Sequence, residues 1–91
     1  MINKHGIEAR RLLELPGITF VHIELKPGEK IDRHSAEGDA FFFVLEGTGT
    51  LYYGMDDVAV TRDTLVRSQA GNLHGWHNTS DSLMRILAIK L

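Results

Sequence analysis

Ninety-one residues with a formal charge of −2, 43% of them hydrophobic and 24% charged, describe a single domain of ordinary globular composition. The ten Lys and Arg residues form no cluster, which argues against nucleic acid as a partner, and the absence of cysteine removes disulfides, thiolate zinc sites and thiol nucleophiles. No apolar run nears the roughly 20 residues that cross a bilayer, and the N-terminus lacks a signal-peptide core, so a cytoplasmic chain without a membrane partner is expected.

Gly6 to Leu15 is ambiguous: Ala9, Leu12 and Leu13 suit a helix face, but the run is short and ends at the turn signal Pro16-Gly17, so it reads as a strand or irregular edge. His5 lies in a frayed terminus and is given no role. From Ile18 to Leu25 the pattern is β, with Thr19, Val21, Ile23 and Leu25 alternating with Ile18, Phe20, His22 and Glu24. Lys26-Pro27-Gly28-Glu29 is a turn, and Lys30 to Ser35 is a short strand carrying His34. Ala40 to Glu46 is apolar until its last residue, as a central strand covered on both faces is. Neighbours on a strand face opposite sides, so Phe41, Phe42 and Phe43 divide, and at least one ring packs outside the interior, against a second sheet or another subunit.

Gly47-Thr48-Gly49 is expected as a turn, with strands at Leu51 to Tyr53, Val58 to Val60, Thr64 to Arg67, Leu73 to Asn78 and Leu83 to Leu91. The last carries Leu83, Arg85, Leu87, Ile89 and Leu91 on one side, and Met84, Ile86, Ala88 and Lys90 on the other. Eight or nine short strands with frequent turns and no major helix predict an all-β antiparallel sandwich or small barrel. A chain of this size buries only about 60–65% of its unfolded surface, a thin margin that homodimer formation would supplement.

Two stretches carry the chemistry. His34 is followed by the acids Glu37 and Asp39 and runs into the phenylalanine strand up to Gly47, while Gly71 to Asn78 supplies His74 and His77. These stretches resemble the two motifs of the cupin family. Gly28, five residues, His34 and the closing Gly47 keep the spacing of the first motif, with Ala36 at its second histidine and Ala40 at its glutamate. Gly71, His74 and Asn78 keep that of the second, with Asp63 at its first glycine and Gln69 at its proline. The resemblance implies an antiparallel double-stranded β-helix, the jelly-roll barrel, spanning the whole chain. It also implies a site inside the barrel, where three histidines and a glutamate of metal-binding members converge on iron, manganese, nickel, zinc or copper.

Of those four positions only His34 and His74 keep a ligand here. Two imidazoles alone hold a divalent cation poorly, and a 2-His-1-carboxylate set is the minimum well-attested arrangement for catalytic non-haem iron. Glu37, beside the permissive Gly38, is the tentative third ligand; Asp39 is turned away by the pleat unless a bulge resets the phase. The competing reading makes His34 and His74 polar lining of a pocket for a small organic ligand, widened by the two alanines and walled by Phe42 and Trp76. His77 is out of phase with His74 and suits a surface or interface role, and His22 reads as a satisfied or surface histidine. Tyr52 and Tyr53 present one ring to each face, and the sequon Asn78-Thr79-Ser80 is a chance match.

Two functions follow. One is a small-molecule-binding domain acting as sensor, carrier or accessory protein. The other is a metal-dependent oxygenase or isomerase built on His34, His74 and a compensating carboxylate; Glu37 or Asp39 beside His34 also suits metal-free acid–base chemistry.

Overall fold

The computed structural model describes residues 2–4 and 7–91, with side chains from Ile7 onward, so His5 lies outside the described residues. Ten strands appear among them: β1 (Ile2–Lys4), β2 (Ile7–Leu15), β3 (Ile18–Leu25), β4 (Lys30–Ser35), β5 (Ala40–Glu46), β6 (Thr48–Tyr53), β7 (Asp56–Thr61), β8 (Leu65–Ser68), β9 (Leu73–His77) and β10 (Met84–Lys90). No helix occurs among the described residues, and hence none long and apolar enough to cross a membrane. The strands form a six-stranded sheet in the order β1-β2-β3-β10-β5-β8 and a four-stranded sheet in the order β4-β9-β6-β7. Every pairing is antiparallel. The two sheets face each other around one core, as the jelly-roll expectation requires.

Three strands supply most of that core through strict alternation. Val21, Ile23 and Leu25 of β3, Ala40, Phe42 and Val44 of β5, and Met84, Ile86 and Ala88 of β10 are all buried, and they lie level in the ladder. Full burial of each larger side chain contributes about 1.5–3 kcal/mol. Phe42 points inward, whereas Phe41 and Phe43 lie half-buried on the outer face, level with Ile89 and Leu87 of β10.

The N-terminal segment resolves as a full strand. Its register slips between Arg11 and Leu13, a bulge that leaves Leu12 unpaired and resets the phase. Period-two alternation is lost at that point, and Leu12, Leu13 and Leu15 all remain exposed. The expected Gly47–Gly49 turn is narrower than the sequence suggests. Gly47 alone makes it at φ 89, and β6 already starts at Thr48. Gly49 is a strand residue instead, where an added Cβ would meet Met84 Sδ at 2.7 Å and the His77 carbonyl at 2.9 Å.

One end of the barrel is sealed by polar chemistry as well as packing. Asn78 is fully buried; its amide nitrogen donates to the Leu25 and Ser82 carbonyls, each at 2.8 Å. Its side-chain oxygen accepts from the Ser80 amide at 3.0 Å and the Ser80 hydroxyl at 2.7 Å. The sequon asparagine is therefore occupied in joining β3 to the turn before β10.

Candidate functional site

The site lies at the opposite end of the same strands, and the pairing of β4 with β9 creates it. Ile31 is level with Trp76 and His34 with His74, so three steps on β4 match two on β9. This bulge brings both Ile31 and His34 to the inner face, which simple alternation forbids. Gly75 makes room for it: a Cβ there would meet the Ile31 carbonyl oxygen at 2.5 Å and Arg33 N at 3.0 Å.

The two imidazoles consequently meet, with centroids 4.6 Å apart and planes at 71°. Phe42 stands edge-on to His74 at 5.0 Å and to Trp76 at 5.5 Å. His34, Phe42, His74 and Trp76 thus border one open cavity of about 520 Å³, whose deeper wall is apolar and includes Val21, Ile23 and Ile31. The indole N–H of Trp76 is buried without a hydrogen-bond partner among the described residues.

Each histidine is oriented by its neighbours. His34 is exposed at the mouth and donates from Nδ1 to the Asp32 carbonyl at 3.0 Å, which leaves Nε2 as an acceptor on the neutral ring. His74 is buried, with Nδ1 3.2 Å from the Ser68 hydroxyl. Asn72 donates to that hydroxyl at 3.4 Å, so Ser68 links Asn72 to the His74 ring and fixes its orientation. Burial first, then the neighbouring His34 and Lys90, push the His74 pKa down to about 4, so this ring is neutral at physiological pH.

The acids near His34 take other partners or none. Asp39 accepts from Arg67 at 2.9 Å and from the Ala70 amide at 2.9 Å, and these bonds, the arginine's first, hold its carboxyl below the usual carboxylate range. Glu37, the tentative third ligand, is exposed. Among the described residues no group of three or more His, Cys, Asp or Glu side chains is placed to hold a metal. The donor set brought together is two imidazoles with Ala40 and a lysine nearby, and it does not fit a tightly held divalent cation.

The remaining sequence candidates are distributed over both sheets. His77, level with Lys30 and Thr50, lies at the other end of β9 next to Asn78 and does not line the cavity, and His22 is 3.3 Å from Arg85. Tyr53, level with His74, donates its hydroxyl to the Arg67 carbonyl at 3.0 Å. Tyr52 packs under the Arg33 guanidinium, which also pairs with Asp57. Sequence reasoning overlooked Gly75, Ser68, Asn72 and Lys90. Of these only Lys90 left a signal, as the one charge on the otherwise apolar side of the last strand.

Two antiparallel sheets closed at one end by Asn78 and open at the other between paired histidines define a double-stranded β-helix barrel of the cupin kind. The family model described as "Cupin domain" matches residues 21–90, and the chain belongs to that family. Among solved structures it is similar to a predicted oxalate decarboxylase from Thermotoga maritima, at TM-score 0.88 and 23% identity over 93% of this chain and 79% of that one. KdgF from a Halomonas species matches at TM-score 0.86 and 14% identity, over 99% of this chain and 83% of the other. The cupin domain of Schizosaccharomyces pombe Cnp3 matches at 0.89 and 13%, over 99% and 67%. At such identities the likeness carries the fold alone. No curated protein matches the chain in sequence.

Proposed function

We propose that this cupin domain binds a small organic molecule between His34, Phe42, His74 and Trp76, without a tightly held metal, and acts as a sensor, carrier or accessory domain. The observation that carries the reading is the cavity of about 520 Å³, lined by more apolar than polar surface, with Val21, Ile23, Phe42 and Trp76 beside a few polar side chains. That size and polarity suit a ligand that needs burial for affinity and a few polar contacts for orientation. The alanines at positions 36 and 40 support it by removing two ligands of the family's metal set and leaving methyl groups in their place.

Trp76 is the only tryptophan, so its fluorescence reports occupancy of the cavity directly. Screening a small-molecule library by Trp76 fluorescence and thermal shift is expected to give saturable ligands whose effect is lost in Phe42→Ala. The metal-enzyme reading, built on His34, His74 and Glu37, predicts instead near-stoichiometric iron, manganese, nickel or zinc in untagged protein. Metal at that level, lost in the His34→Ala plus His74→Ala double variant, would overturn the proposal.

We also propose a homodimer. Phe20, Phe41, Phe43, Leu87 and Ile89 are only half-buried on the outer face of the six-stranded sheet, and Leu13 and Leu65 beside them are exposed. An apolar face of this kind favours a second copy. Light scattering at micromolar concentration is expected to give twice the mass of the chain; a monomer mass refutes it.

A further inference from the structure

Lys90 is the feature of the cavity that neither a metal site nor a neutral pocket explains. It follows Met84, Ile86 and Ala88 on the inner face of β10, level with Ala40 on one side and Thr19 on the other. Directly opposed residues on one face of a sheet have Cβ atoms about 4.5–5.5 Å apart. An acid at position 40 would therefore lie against Lys90 and neutralise it, and the alanine there cannot.

Apart from Glu37, which is exposed, the other charges near the mouth are already engaged. Asp32 pairs with Lys30 at 3.8 Å, Glu14 with Arg11 at 3.4 Å, and Asp39 with Arg67 at 2.9 Å. Arg33 is held over Tyr52 by Asp57 and by the Gly54 carbonyl at 3.1 Å. Lys90 has no ion-pair partner within 4 Å among the described residues. The cavity therefore offers an unpaired ammonium group beside the His74 imidazole, with Phe42 and Trp76 in the same wall.

We infer that the ligand of this cavity is an organic acid, its carboxylate held at the mouth by Lys90 beside the His74 ring and its apolar body lying against Phe42 and Trp76. This rests on the organic-ligand reading of the cavity and names the chemical class it takes. A carboxylate supplies the negative charge that the position-40 glutamate of the family pattern would have supplied. A divalent cation at the same place is repelled by the lysine.

The test uses matched acid and alcohol pairs: hexanoate with hexanol, octanoate with octanol, and phenylpropionate with phenylpropanol, titrated against Trp76 fluorescence at neutral pH. The acid of each pair is expected to bind about tenfold more tightly, the effect of one charge-assisted hydrogen bond at a partly open site. Lys90→Met should abolish the preference while alcohol affinity stays within twofold, and Lys90→Arg should retain it. Lys90 is exposed, so these variants should keep the wild-type melting temperature, a check that separates lost charge from lost fold. Alcohols binding as well as acids, or a preference that survives Lys90→Met, would overturn the inference and leave the cavity reading standing. Binding of neither class would overturn both.

Discussion

The two ends of the barrel are built from the same strands and have opposite characters. At the sealed end Leu25, Val44, Met84 and Asn78 are fully buried, and the asparagine has both side-chain polar atoms in hydrogen bonds. At the mouth the same three strands finish in Thr19, Ala40 and Lys90, facing an exposed His34 across unfilled space. Stability is concentrated where the buried asparagine is satisfied and packing is complete, and the proposed binding is left to the end where packing is incomplete. The alanines are part of that division, since a metal would have tied the mouth together as Asn78 ties the base.

The sharpest way to break this comparison is to cut one residue at each end. Asn78→Ala leaves the Leu25 and Ser82 carbonyls without their amide partner and removes the acceptor for Ser80. Buried groups left unsatisfied cost about 1–3 kcal/mol each, so a loss of about 3 kcal/mol and a melting temperature more than 10 °C lower are expected. His34→Ala, at the exposed mouth, should stay within about 0.5 kcal/mol by the same thermal unfolding. Equal effects at the two ends would remove the distinction.

Gly75→Ala joins the two regions, because it attacks the mouth through backbone packing. The new methyl meets the Ile31 oxygen and the backbone of Asp32 and Arg33, and no flexible side chain is there to yield. The bulge of β4 must shift, turning His34 away from His74, at an expected cost of about 2 kcal/mol. The discriminating readout is the histidine pair itself. NMR titration should show the His74 pKa rising towards its ordinary value as His34 departs.

How much of this was legible beforehand depended on whether neighbouring residues in the chain carried the signal. The core strands were readable because Val21, Ile23 and Leu25, or Met84, Ile86 and Ala88, alternate without interruption. His34 and His74 stood out by spacing, and parity alone assigned Phe42 and Trp76 to the inside. What escaped were consequences of pairing between distant segments. The β4 bulge depends on a glycine more than forty residues away, and Ser68 reaches His74 only because two sheets close on each other. The fate of Asp39 was equally hidden, since its partners Arg67 and Ala70 come from β8 and the loop beyond it. The bulge in β2 had the opposite effect, making a genuine strand look irregular.

Acid should act on the mouth before the base. His74 carries its folded pKa down to about 4, so between pH 6.5 and about 4 the unfolded chain takes up a proton that the folded chain refuses. Stability is then lost as pH falls through that window and is unaffected above it. Allowing for solvent at the open mouth, the loss is on the order of 1–2 kcal/mol. Asp39 adds a loss of the same sign at lower pH, below the usual carboxylate range. Chemical denaturation at pH 7, pH 4.5 and about pH 2.5 is the check: His74→Gln should flatten the loss between the first two and leave the further Asp39 loss at the lowest pH in place.

The smallest expected effect lies in the loop before β8. Asp63 has φ 69, the one positive value outside glycine among the described residues, and it occupies the position where the family's second motif has glycine. Left-handed backbone is unfavourable for a side chain, least so for Asn and Asp, whose short polar groups tolerate it. The Asp63 carboxylate adds only a 3.8 Å pair with its exposed neighbour Arg62. The motif position thus keeps its conformational demand although the residue has changed. Asp63→Gly should relieve the strain and stabilise the domain by about 0.5 kcal/mol, net of the greater entropy of the unfolded glycine, without altering ligand affinity. A destabilised Asp63→Gly variant would mean that the side chain, and not the backbone, is what this position requires.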